Sequence, residues 1–254
     1  MVMAIHSLIK RALRVAAIPM GLYVILAAAV YFLQRSMLYF PTHASPRSRL
    51  APWSDGKGTI GYCREVPNPK TVWLMVHGNG GQAADRDYVL DRMSNEDSLY
   101  VLEYPGYGLR EGTPSMKTMN QAASDAYHLL QARNPNTAIC ILGESIGSGP
   151  ACSLVREKRA PDKIVLVVPF DALVRVASRG FYFLPVSFLL RDNWNNLETL
   201  RHYTGPVDIF GAIDDTIIPI EHAKSLARQT GARFTAITGG HNDWSANKNV
   251  TITR

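Results

Sequence analysis

Gly143-Glu144-Ser145-Ile146-Gly147 has the Gly-x-Ser-x-Gly spacing of a tight turn that presents a serine hydroxyl. The apolar run from Thr137 to Leu142 reads as a buried strand leading in, and Pro150 to Val155 reads as a helix leading out. Small residues are needed there because two backbones approach closely and the central residue is strained. A serine hydroxyl is a weak nucleophile until a base takes its proton, and that base is usually a histidine oriented by a carboxylate. Both types lie downstream. His241 follows a short strand in Gly239-Gly240-His241, where small neighbours let an imidazole come close. Between serine and histidine, Phe210-Gly211-Ala212-Ile213-Asp214-Asp215-Thr216-Ile217-Ile218-Pro219 holds adjacent aspartates. Counting forward from Gly211 favours Asp214, and counting back from Pro219 favours Asp215. Asp171, at the end of an earlier strand, is a remote third candidate. His6, His43, His128, His202 and His222 sit before the apolar N-terminal run, in a loop, or in helical or cap contexts, and His77 reads as a structural member of its turn.

Acyl transfer to such a serine needs hydrogen-bond donors for the developing oxyanion. Thr71 to His77 is a continuous apolar strand, of the kind found in a parallel sheet covered on both faces, and it ends in Gly78-Asn79-Gly80-Gly81. That loop offers the backbone N–H of Asn79, and Ile146, next after the serine, offers a second. No cofactor is implied, because the glycine-rich loops lack the order of a dinucleotide or phosphate site. No His, Cys and Asp cluster has metal spacing. Cys63, Cys140 and Cys152 are odd in number and read as packing residues.

The elements that must position these residues follow in order. Thr59–Val66, Thr71–His77, Ser98–Tyr104, Thr137–Leu142, Lys163–Val168, Val207–Phe210 and Phe234–Ile237 read as strands. Ala83–Met93, Lys117–Arg133, Pro150–Val155 and Glu221–Gln229 read as helices, and 42–57 as loop. This alternation implies an α/β fold with a mostly parallel, doubly wound sheet. Residues 172–204 are too long for an ordinary connection and read as a small helical cap over the site. Its apolar part, Phe181 to Leu190, suggests an acyl or aryl ester substrate rather than a polar one.

The chain has 254 residues and a formal charge of +6. Four of those charges, Lys10, Arg11, Arg14 and Arg35, lie in the first 35 residues, which hold no acid, so the remainder carries a net charge of only two. A nucleic-acid partner is therefore not expected. Val15 to Leu33 is nineteen residues without a charge. As a helix it spans roughly 28 Å, close to the ~30 Å of a bilayer core. The expected organisation is residues 1–34 as cytosolic N-terminus and transmembrane anchor, then 35–254 as the catalytic domain. The preceding basic residues put that domain on the trans side, the periplasmic side of the inner membrane in a Gram-negative bacterium.

HGNGG, EYPGYG, EGTPS, LGESIGSGPA, VVPFDALVRVA, DDTIIP and GGHND together resemble the α/β-hydrolase superfamily. The likeness runs from about Gln34 to Asp243 and is greatest to the membrane-anchored serine-hydrolase branch, which includes bacterial hydrolases and eukaryotic protein depalmitoylases. It implies an eight-stranded, mostly parallel sheet with helices on both faces. It implies Ser145 as nucleophile, His241 as base and an Asp between them; the Asp-Thr-Ile-Ile-Pro spacing of the family favours Asp215. The implied activity is that of a carboxylesterase-like serine hydrolase acting on a small-molecule or lipid-like ester, with a thioesterase, an amidase or a non-catalytic scaffold as alternatives. The sequence departs from the family at Glu103 and Pro105, where Asp and Arg are usual. It also departs after His241: in place of a terminal apolar helix stands the short polar WSANKNVTITR, which leads to the expectation of an open sheet face near His241.

Overall fold

The computed structural model describes every residue except Met1, Ser45 and Pro46, with the backbone alone for residues 2–5 and 7–16. It opens with α1 (Val2–Leu38), whose stretch long and apolar enough to cross a membrane is Ala17–Leu38. The side chains of Lys10, Arg11 and Arg14, which carry the orientation argument, lie outside the described residues. The helix continues almost into the domain: the Tyr39 N–H still donates to the Arg35 carbonyl at 2.9 Å. The chain then pairs β1 (Phe40–Pro41) with β5 (Gly80–Gly81), in parallel.

The main sheet has eight strands: β2 (Ala51–Ser54), β3 (Thr59–Arg64), β4 (Thr71–Val76), β6 (Ser98–Leu102), β7 (Ala138–Glu144), β8 (Lys163–Val167), β9 (Val207–Ala212) and β10 (Arg233–Ile237). Their order is β10-β9-β8-β7-β4-β6-β3-β2. Only the β2–β3 and β3–β6 pairs are antiparallel. Strand β2 lies inside residues 42–57, which the sequence presents as loop; its Pro52 at a sheet edge is tolerated because an edge strand needs fewer donors.

The central strands are buried on both sides, as continuous apolar runs demand. Along β4 the pleat sends Val72, Leu74 and Val76 into one core and Trp73 and Met75 into the other. The first core is covered by α2 (Met116–Arg133), α3 (Ser148–Ser153) and α7 (Ile220–Thr230). Ser115 caps α2 by accepting from the Thr118 N–H at 3.1 Å, and the α2 stripe Met119, Ala122, Ala123, Ala126, Tyr127 and Leu130 is buried. Residues 172–204 contain three short helices, α4 (Leu173–Gly180), α5 (Val186–Leu189) and α6 (Asn196–Leu200). All three cysteines are free and buried, and burial pushes the Cys63 thiol up to about 11 and that of Cys140 to about 12.

Two expectations are corrected on the second face. Ala83–Arg92 is not a regular α-helix but a 3₁₀ segment with a break at Arg86 (φ −97°, ψ 15°), where the side chain turns inward toward the Gly80 carbonyl and Glu144. The C-terminal segment does not leave the sheet open. Trp244, Val250 and Ile252 are buried in the second core. The Ile252 N–H donates to the Arg92 carbonyl at 2.8 Å, and the Arg92 Nε donates to the Ser245 carbonyl at 2.7 Å. An extended segment buries alternate residues, so apolar positions two apart suffice where a helix would need a stripe.

Candidate active site

The strand order of the sheet places β4 and β7 side by side although β6 lies between them in sequence, with Val76 opposite Gly143. At this switch the carboxyl ends of the strands form a crevice where ligands bind in open α/β sheets. Ser145 leaves β7 there with φ 53°, a left-handed conformation uncommon for a non-glycine residue and found at strained functional turns. The turn is tight enough that a Cβ on Gly147 would stand 2.1 Å from the Val76 carbonyl oxygen and 2.5 Å from that of His77. Gly147→Ala is accordingly expected to destabilise the protein by roughly 3 kcal/mol and to remove most turnover, because the turn and the end of β4 cannot both keep their places. Thermal melts alongside ester assays check this; an unchanged melting temperature would show that the turn can relax.

Three side chains from distant parts of the chain meet at this point. The His241 Nε2 lies 2.8 Å from the Ser145 Oγ, and its Nδ1 lies 2.7 Å from the Asp215 Oδ2. A carboxylate only accepts, so the imidazole carries its proton on Nδ1 and turns a free Nε2 lone pair to the serine hydroxyl. The other carboxylate oxygen of Asp215 accepts from the N–H groups of Ile217 and Ile218 at 2.9 and 2.8 Å. That turn separates the adjacent aspartates. Asp215 is buried and bonded to the histidine, whereas Asp214 is exposed and makes no hydrogen bond to it. Asp171 lies elsewhere, buried and paired with the His222 Nδ1 at 2.7 Å and with Arg175.

The loop after β4 faces the serine: a Cβ on Gly78 would stand 3.7 Å from the Ser145 Cβ. Almost every polar group of that loop is fixed. The Gly78 N–H donates to the Glu144 Oε2 at 3.0 Å, and the Tyr104 hydroxyl donates to the His77 carbonyl at 2.5 Å. The Asn79 carbonyl accepts from the Tyr107 hydroxyl at 2.7 Å and from the Phe40 N–H at 2.9 Å. The Asn79 side chain donates to the Leu38 carbonyl at 3.0 Å. Burial pushes the Tyr104 and Tyr107 phenols up, so both remain protonated donors.

No protein-family model matches the chain. Lysophosphatidylserine lipase ABHD12 of Macaca fascicularis is 27% identical over 193 residues, covering 68% of this chain and 48% of that protein. A protein of Mycobacterium tuberculosis is 28% identical over 176 residues, covering 67% of this chain and 62% of that one. The chain thus spans about half the length of the lipases it matches. Among solved structures, an esterase of Pyrococcus furiosus superposes with a TM-score of 0.61 at 13% identity, over 82% of this chain and 94% of that one.

The chain has the α/β-hydrolase fold.

Within this α/β-hydrolase fold, one residue beside the candidate site is not evident in the sequence. Glu144, the residue before Ser145, is buried and gathers the surrounding elements. Besides Gly78 it accepts from the Trp244 Nε1 at 3.1 Å and the Tyr88 hydroxyl at 3.2 Å, and it pairs with the Arg86 guanidinium at 3.1 Å. Burial alone pushes its carboxyl up, but Arg86, the Gly78 N–H and the Trp244 N–H together outweigh that and hold it below the ordinary carboxylate value. Its partners lie 66 and 100 residues away for Gly78 and Trp244, so no local pattern announces it. Glu103, the departure from the family pattern, accepts from the Ala83 N–H at 3.0 Å and so supports the far end of the same loop.

Proposed function

We propose that this protein is a serine hydrolase that cleaves a carboxylic ester of an apolar, lipid-like acyl group. The observation that carries the reading is the hydrogen-bonded line from Asp215 through His241 to Ser145. Ser145 Oγ attacks the ester carbonyl carbon as its proton passes to the His241 Nε2. Asp215 holds the ring and stabilises the imidazolium. The backbone N–H groups of Asn79 and Ile146 receive the oxyanion of the tetrahedral intermediate. Collapse breaks the carbon–oxygen bond of the leaving group, which departs as an alcohol with the proton from His241. Water, deprotonated by the same imidazole, then attacks the acyl-enzyme and frees the acid and Ser145.

The apolar part of the cap, Phe181 to Leu190, and the lipase activity in the name of the mammalian relative both support an acyl substrate. The span Ala17–Leu38 supports attachment to a membrane, with the catalytic domain on the trans side, the periplasm. Labelling of Ser145 by a fluorophosphonate probe, together with turnover of p-nitrophenyl butyrate, tests the reading. Absence of both would point to a non-catalytic role. The two aspartates are a sharper test. Asp215→Asn is expected to lower kcat by about 10⁴, because the amide would present the wrong partner to the Nδ1 proton. Asp214→Asn is expected to stay within a few-fold of the parent. Equal losses would remove Asp215 from its proposed role.

A further inference from the structure

Helix α1 is joined to the cap along much of its outer length. The half-buried residues of its apolar part, Ala27, Val30, Tyr31, Gln34, Arg35 and Leu38, fall at three- and four-residue spacing and so form one stripe. Polar groups on that stripe clasp the cap. The Gln34 Nε2 donates to the Leu189 carbonyl at 3.1 Å, and its Oε1 accepts from the Arg191 N–H at 2.8 Å. Arg35 makes a two-point pair with buried Asp192, at 2.8 and 3.1 Å. Farther out, the Tyr23 hydroxyl donates to the Phe183 carbonyl at 3.0 Å.

Between helix and cap lies a cavity of about 370 Å³. Val30, Met37 and Leu38 of the helix, Val176 and Phe181 of the cap, and Ile217 line it. Two of these residues bond the proposed catalytic groups: the Leu38 carbonyl accepts from the Asn79 side chain, and the Ile217 N–H donates to Asp215. From Leu38 the lining reaches back along the helix to Val30, inside the apolar span. Tyr23 and Leu38 are fifteen residues apart, roughly 22 Å along a helix axis, against ~30 Å for a bilayer core. The cap residues bonded at Tyr23 therefore sit at bilayer depth when Ala17–Leu38 crosses the membrane. Their surface suits that position: Tyr182 and Phe188 are 84% and 88% exposed, with exposed Arg179 and Arg191 nearby in the chain. Exposed aromatic side chains of this size are unfavourable in water and suited to an apolar surrounding, while the long arginine side chains can reach toward a polar boundary.

We infer that this cavity is the acyl-chain site, that α1 forms one of its walls, and that its mouth opens sideways into the bilayer. The alkyl tail of a bilayer-resident ester enters along the helix and brings its carbonyl carbon to Ser145 without passing through water. The inference rests on the ester-hydrolase reading for its activity test, and a second, spectroscopic readout stands apart from that reading.

The test uses the full chain in phosphatidylcholine vesicles. Ala177, on the cavity wall, is changed to Trp to fill the space, and Gly180 to Leu as a gentler filler, since a Cβ at Gly180 meets nothing within 4 Å. For both variants kcat/KM for p-nitrophenyl dodecanoate should fall at least tenfold more than for the butyrate ester. Equal losses on the two esters, or no loss on dodecanoate, would overturn the acyl-site assignment. In the second readout, the added emission of the Ala177→Trp variant should be quenched by phosphatidylcholine brominated in its acyl chains. Emission indifferent to brominated lipid would overturn the sideways opening. A Ser145→Ala variant that kept full butyrate turnover would instead refute the hydrolase reading while leaving the quenching result to stand or fall by itself.

Discussion

Ser145→Ala is expected to lower kcat for a short ester by roughly 10⁴ to 10⁶, and adding His241→Ala to it should cost almost nothing more. The reason is the 2.8 Å contact between the Ser145 Oγ and the His241 Nε2, which makes the two side chains one device. Without the hydroxyl the imidazole has no proton to take, and without the imidazole the hydroxyl is a poor nucleophile. Residual turnover should come from the N–H groups of Asn79 and Ile146 and from binding alone. Steady-state kinetics on the two single variants and the double variant measure this. Losses that multiplied would show that the residues act separately. Both variants should keep the parent's melting temperature within a degree or two, since neither side chain fills the core.

The largest expected loss of stability belongs to Glu144. In Glu144→Ala the Arg86 guanidinium, the Gly78 N–H, the Trp244 indole and the Tyr88 hydroxyl lose a shared acceptor inside the protein. Breaking a buried ion pair by removing one partner costs about 3–5 kcal/mol. For a chain of this length that corresponds to a melting temperature lower by roughly 10 °C. Turnover should fall as well, because the loop that carries Asn79 loses its tie to the serine turn. Glu144→Gln keeps the shape but leaves Arg86 unneutralised, and should fall between. The pH dependence has a definite sign. The folded state holds the Glu144 carboxyl below its unfolded value of about 4.3, so its contribution is complete above that pH and is lost as pH falls through the depressed value. Melting curves of the parent and of Glu144→Gln should therefore converge in acid. A gap that stayed constant from pH 7 to pH 3 would mean that charge is not what Glu144 supplies.

Much of the fold around this candidate site is legible in the sequence. Buried parallel strands write themselves as unbroken apolar runs, so the ends of β4, β7 and β10, where Asn79, Ser145 and His241 lie, stand out. Adjacent Asp214 and Asp215 were harder. Their difference is made by a turn in which one carboxylate accepts two backbone N–H groups and the other faces solvent, and neighbouring identical residues cannot encode that locally. Glu144 was illegible for a different reason: its meaning lies in partners scattered from Gly78 to Trp244. The C-terminal segment misled because Val250 and Ile252 are apolar in an otherwise polar tail, a pattern that helical periodicity passes over. Trp244, Val250 and Ile252 cover that face. The partnership between α1 and the cap was also out of reach, since an apolar helix of membrane length conceals any stripe used for packing.

The bond from the Asn79 side chain to the Leu38 carbonyl has a practical meaning for anyone who works with this protein. A long apolar helix at the start of a chain is usually the first thing removed to obtain soluble material. Here its final carbonyl and the Phe40 N–H just beyond it both brace the residue whose N–H is assigned to the oxyanion. A fragment starting at Tyr39 would dissolve more readily and would have lost part of the footing of its candidate site. Weak activity in such a fragment would describe the cut, not the whole chain.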